Sequence, residues 1–155
     1  MIRKDMLVKA ANYCAYQERT QAEVRERLQQ WGVYGDEAEE IIVYLIEDNY
    51  LNEGRFAKIF AGGKFRVKHW GRKKILYELK ARKLSDHVIR EAMAEIEDED
   101  YLATLKELIE KKRHELRTEK HPQILKQKLV RYAVGKGFEN DLVWEIVNKT
   151  LNNKL

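Results

Sequence analysis

A single proline, Pro122, and eight glycines in 155 residues leave too little punctuation for a fold of many short strands. A single cysteine, Cys14, excludes a disulfide framework within the chain and points to a reducing compartment. In the stretch AANYCAY it reads as a small buried hydrophobe rather than a reactive thiol. No apolar run is long enough to cross a bilayer, and the opening MIRKDMLVKA holds no signal-peptide core. A soluble cytoplasmic protein with no membrane partner is therefore expected.

Recognisable chemistry is also scarce. His69, His87, His114 and His121 share no ligand spacing with one another or with Cys14, so no metal site is expected. The segment AGGK at 61–64 lacks the spacing and the hydroxyl residue of a phosphate-binding loop. No catalytic residue and no cofactor are assigned, and the chain reads as a non-enzyme.

What is present is charge on helical patterns. Hydrophobic residues make up 44% and charged residues 36%, which suits helices with solvated outer faces. The charge is segregated. Residues 64–83 carry nine basic side chains (Lys64, Arg66, Lys68, Arg72, Lys73, Lys74, Lys80, Arg82 and Lys83) against one acid, Glu78. From Leu84 to Glu110 the balance reverses, nine acids against Arg90 and Lys106. Such a block points to a polyanionic or filamentous partner.

One helical pattern recurs with a period near fifty residues. Thr20 with Glu23 makes a capping box, Val24 and Leu28 share a face, and Gly32-Val33 ends the helix. Gly71, Ile75, Leu79 and Leu84 repeat that spacing, as do His121, Leu125, Leu129 and Gly137-Phe138 after about one extra turn. Lys83 stands where the glycine would be, so the middle helix is expected to end differently. Third helices follow, with Asp36, Ser85 and Asn140 as expected caps. First helices precede, near residues 5–18, 53–68 and 101–118.

The stretch YLNEGRFA, residues 50–57, joins two of these units. Leu51 precedes the cap Asn52, and Phe56 is the fourth helical residue, the arrangement of a hydrophobic staple. Phe56, Phe60, Gly63 and Val67 are expected to trace one face. Arg55 is expected to serve an acid such as Asp48. Gly62-Gly63 implies either the close approach of another helix or a bend. The fold class that follows is all-α: three tandem three-helix repeats, residues 1–51, 52–100 and 101–155, in an elongated, curved molecule.

Within the basic block, Lys73, Tyr77 and Lys80 fall on the side opposite Ile75 and Leu79 and are expected to point outward. Arg72 and Lys74 flank a helix start whose free N–H groups favour anions. Trp70, in the connection, reads as a core plug or as a stacking platform. Three-helix units also suit DNA reading, but the third helices of two copies are acidic and would be repelled by a duplex.

The segments EDNYLNEGRFAKIF and WGRKKILYELKARKL together resemble the signature of the RecX regulatory family. Tyr50, Leu51, Asn52, Phe56 and Ala57 carry the first match, and Gly71, Ile75, Glu78 and Leu79 the second. RTQAEVRERLQQWGV at 19–33 is similar to the family's first repeat. Lys83-Leu84 departs from a common Gly-Ile pair, and Gly62-Gly63 is also a departure. The resemblance implies a bacterial, non-enzymatic modulator that binds the RecA recombinase and its filament on single-stranded DNA. It implies restraint of filament growth, ATP hydrolysis and strand exchange, with a curved triple repeat lying along the filament groove as the proposed mode; a monomer is expected. Direct DNA binding, or an adaptor role with protein partners only, are the alternatives.

Overall fold

The structure is a computed structural model that describes residues 1–152. Among the described residues it holds nine α-helices and no strand. They are α1 (Lys4–Tyr16), α2 (Gln21–Gln30), α3 (Gly35–Glu47), α4 (Glu53–Arg66), α5 (Arg72–Ala81), α6 (Asp86–Ala94), α7 (Asp98–Glu115), α8 (Pro122–Gly135) and α9 (Asn140–Asn152). None is long and apolar enough to cross a membrane.

The helices form where the sequence supplies starts and stops. Thr20 accepts from the Glu23 N–H while Glu23 accepts from the Thr20 N–H, so both halves of the capping box are made. Asn52 accepts from the Arg55 N–H at 2.9 Å and Ser85 from the Val88 N–H at 3.2 Å. Pro122 opens α8 where no N–H is needed. Two expected caps lie inside their helices instead. Asp36 is in the first turn of α3 behind Tyr34, and Asn140 is the first residue of α9. Likewise α7 begins at Asp98 rather than near 101, because Asp98, Glu99 and Asp100 favour the positive end of the helix.

The second helices all stop through a left-handed residue. Gly32 has φ of 80°, Gly137 of 101°, and Lys83, expected to break the pattern, has φ of 61°. The backbone geometry has thus kept its form where the glycine has not.

Packing divides the chain into two compact units. One holds residues 1–60 and 79–92. Its core includes Val24, Leu28, Ile41 and Leu45, each at most 1% exposed, with Cys14 at its edge and burial pushing that thiol up to about 11. Each such leucine contributes about 1.5–3 kcal/mol by leaving water. The other unit holds residues 61–78 and 93–152. Its core includes Ile75, Tyr101, Leu105, Ile109, Leu129 and Phe138, all 0–1% exposed.

The joint YLNEGRFA is tied more firmly than its pattern alone indicates. Leu51 and Phe56 are buried, and Phe56 stacks on Phe60 with centroids 5.8 Å apart. Glu53 reaches back to accept from the Gln21 N–H, placing a carboxylate at the start of α2. Arg55 pairs with Glu18 at 2.8 Å, not with Asp48, and also donates to the Asn49 and Tyr50 carbonyls. The buried face of α4 runs through Phe56, Ala57, Ala61 and Phe65, while Val67, beyond the helix, is 74% exposed. The close approach of another helix does not account for the glycine pair. A side chain on Gly62 would collide with the Arg66 guanidinium of its own helix, and Gly63 faces open space.

Candidate nucleoprotein interface

The start of the basic helix α5 is bolted to the end of α8. The Gly71 N–H donates to the Lys136 carbonyl at 2.8 Å, and the Lys73 N–H donates to the Gly137 carbonyl at 3.0 Å. Between them the Arg72 N–H donates to the Tyr101 hydroxyl at 2.9 Å. The helix start expected to hold an anion therefore has its leading N–H groups filled by the protein itself. That expectation is corrected: three consecutive donors already have acceptors.

Arg72 is likewise turned inward. Its guanidinium lies 4.1 Å from the centre of the Tyr101 ring and donates to the Ile96 carbonyl and, at 2.7 Å, to Asp98. Tyr101 in turn donates to Glu139 and stacks on Phe138. Arg72 thus positions α5 and is no free cation of the patch. Sequence periodicity could not find Tyr101 and Glu139, since they meet across 38 residues, one on α7 and the other in the connection before α9.

The remaining basic residues separate by role. Lys73 and Lys80 are exposed, with Tyr77, 71% exposed, between them along α5. Lys68 and Lys83 are exposed as well. Lys64 and Lys74 bring their ammonium groups to 4.9 and 4.5 Å from the centre of the Trp70 ring. Trp70 is half-buried beneath these two cations. The Arg82 guanidinium lies 4.5 Å from the Phe60 ring. Arg66, over Gly62, lines with His69 a hollow of about 300 Å³ whose other charged walls are Glu95, Glu97, Asp100 and Glu107. Lys73 and Lys80 are thus the basic residues of α5 that lie exposed.

The family-motif residues are mostly internal. Leu51, Phe56, Ala57, Gly71, Ile75 and Leu79 are buried, Glu78 is half-buried, and Tyr50 and Asn52 are exposed. Among the described residues no group of three or more His, Cys, Asp or Glu side chains could hold a metal ion.

Three family models match the chain: the first three-helix domain of RecX over residues 7–45, the second over 52–93 and the third over 98–147. A regulatory protein RecX of Clostridium perfringens is 31% identical over 137 residues, spanning 88% of this chain and 64% of that protein. One from Lactobacillus johnsonii is 29% identical over 133 residues, 86% of this chain and 49% of that protein. The chain thus spans between about half and two thirds of the length of these relatives. The crystal structure of RecX from Lactobacillus salivarius superposes with a TM-score of 0.82 at 23% identity, covering 95% of this chain and 97% of that one. With all three three-helix domains matched in order on an all-helical fold, the chain belongs to the RecX regulatory protein family.

Proposed function

We propose that this chain is a non-enzymatic regulator of the RecA recombinase. It binds the recombinase and its filament on single-stranded DNA in the bacterial cytoplasm, acting as a monomer. It restrains filament growth, and with it ATP hydrolysis and strand exchange in recombination and repair. Three functional units are proposed, residues 1–51, 52–100 and 101–155, with the interface centred on the middle one.

The observation that carries this is the outward face of α5. Lys73, Tyr77 and Lys80 lie exposed on a helix whose other side is buried through Ile75 and Leu79. Cations held in this way on a fixed helix attract a phosphate backbone or an acidic protein surface over a distance of about one Debye length. Lys68 and Lys83 would add to the attraction, and Lys64, Lys74, Arg66 and Arg82 would do so from their places on neighbouring side chains.

The test is ATP hydrolysis by purified recombinase on single-stranded DNA, with and without this chain. Hydrolysis should fall in proportion to the chain added, and filaments should shorten. Unchanged hydrolysis and unchanged filaments at saturating chain would overturn the reading.

A further inference from the structure

Two lysine-flanked rings occur in one compact unit. Trp70 lies under Lys64 and Lys74. Tyr132, on α8, has Lys112 at 4.8 Å and Lys136 at 5.9 Å from its ring centre. The two sets meet through Lys74 and Lys136. Burial first, and then the charge of Lys74, hold the Lys136 ammonium below its ordinary value, so the two cations crowd each other.

This crowding is built into the backbone. The Lys136 carbonyl accepts from Gly71 and the Gly137 carbonyl from Lys73, so the residues around Lys74 and Lys136 are fixed together. The Trp70 N–H donates to the Lys64 carbonyl at 3.0 Å, which sets the ring beside that lysine. Lys112 also approaches Glu115 at 3.5 Å, and so shares its charge. These main-chain bonds keep the backbone positions of the lysines together, so their flexible side chains stay within reach of one another and of a shared anion. A bound anion relieves their repulsion.

We propose that Lys64, Trp70, Lys74, Lys136, Tyr132 and Lys112 form a track for a single nucleic-acid strand, phosphates on the ammonium groups and bases against the two rings. The alternation of cations and aromatic rings favours a strand over an acidic protein surface, which offers no unstacked bases. Both rings are half-buried and keep an open part. A cation on such a ring is held more weakly than a base stacks on it, so the lysine moves to a phosphate as the base arrives. The track rests on the filament reading only in that the filament contains such a strand. It extends the interface beyond residues 64–83 into α7 and α8.

The test uses the full chain with no recombinase present, so that its failure and that of the filament reading are separate results. Binding to a fluorescent oligothymidylate and to a duplex of equal length is followed by anisotropy at several salt concentrations. K74Q/K136Q should weaken single-strand binding about tenfold or more. It should also flatten the slope of log affinity against log salt by about 1.4, near 0.7 for each phosphate no longer neutralised. Tyr132→Leu should weaken single-strand binding and leave duplex binding unchanged, with Tyr132→Phe restoring it; matching helicity and melting exclude misfolding. Unaltered affinity and slope in K74Q/K136Q would overturn the track. Equal losses on strand and duplex in Tyr132→Leu, or equally effective competition by polyglutamate, would overturn the assignment to a single strand.

Discussion

Gly71 and Gly137 meet backbone to backbone, joining the start of the basic helix to the end of α8. A side-chain carbon on Gly71 would fall on the Gly137 carbonyl and the Phe138 nitrogen, and one on Gly137 would fall on Lys74. Main chain cannot swing aside as a flexible side chain can. Gly71→Ala should therefore destabilise the fold by about 1–3 kcal/mol, the usual range for overpacking. Urea denaturation checks this, and a neutral result would mean that the two backbones can part at little cost.

Tyr101 connects the same helix start to Glu139. Removing its hydroxyl in Tyr101→Phe leaves the Arg72 N–H without its acceptor and Glu139 without its donor. A loss of about 1–3 kcal/mol is expected. Burial, and after it the Glu139 hydrogen bond, push the hydroxyl well above the ordinary tyrosine range. The folded chain thus holds the proton more tightly than the unfolded one. The corresponding stability is intact below about pH 10 and is lost as pH rises toward the folded value. Denaturation midpoints between pH 9 and 11 should fall less steeply in Tyr101→Phe than in the parent (the pH points are about those of free tyrosine).

Lys83 occupies a left-handed conformation that strains any residue with a side-chain carbon. Lys83→Gly should stabilise by about 1 kcal/mol, because the favourable backbone term exceeds the flexibility gained by the unfolded chain. Thermal melting measures it. A lower melting temperature would show that the lysine side chain contributes more than its backbone strain costs.

At the joint, Asn52→Ala should cost about 1 kcal/mol through the lost cap. Phe56→Ala should cost roughly 3–5 kcal/mol, since the ring is 8% exposed and stacked on Phe60. Chemical denaturation distinguishes the two. Neutral values for both would misplace the boundary between the first and second repeats.

What could be read from sequence was local. Val24 with Leu28, Ile75 with Leu79, and the caps Thr20, Asn52 and Ser85 all announce themselves within one or two helical turns. The outward side of α5 was legible too, since Ile75 and Leu79 define its inward side. The fate of Arg72 was not local. Its ring partner Tyr101 lies 29 residues away, the bolt from α5 to Gly137 spans much farther, and nothing periodic links them. For the same reason the sequence does not show that the nine basic residues sit in different surroundings, with Arg72 turned inward while Lys73 and Lys80 are exposed. Arg66 lies against Gly62 one turn back on its own helix, and Arg82 lies over Phe60 from just past the end of α5.

The most direct test of the central claim is the K73E/K80E variant in recombinase ATP hydrolysis on single-stranded DNA. Both side chains are exposed, so folding should change by less than about 0.5 kcal/mol. Lys149→Glu, which alters a cation paired with Glu145 on α9, serves as the control. The parent and the control should suppress hydrolysis at the same concentration, while K73E/K80E should need at least about tenfold more, a difference of about 1.4 kcal/mol. Suppression by K73E/K80E at the parent's concentration would contradict the account.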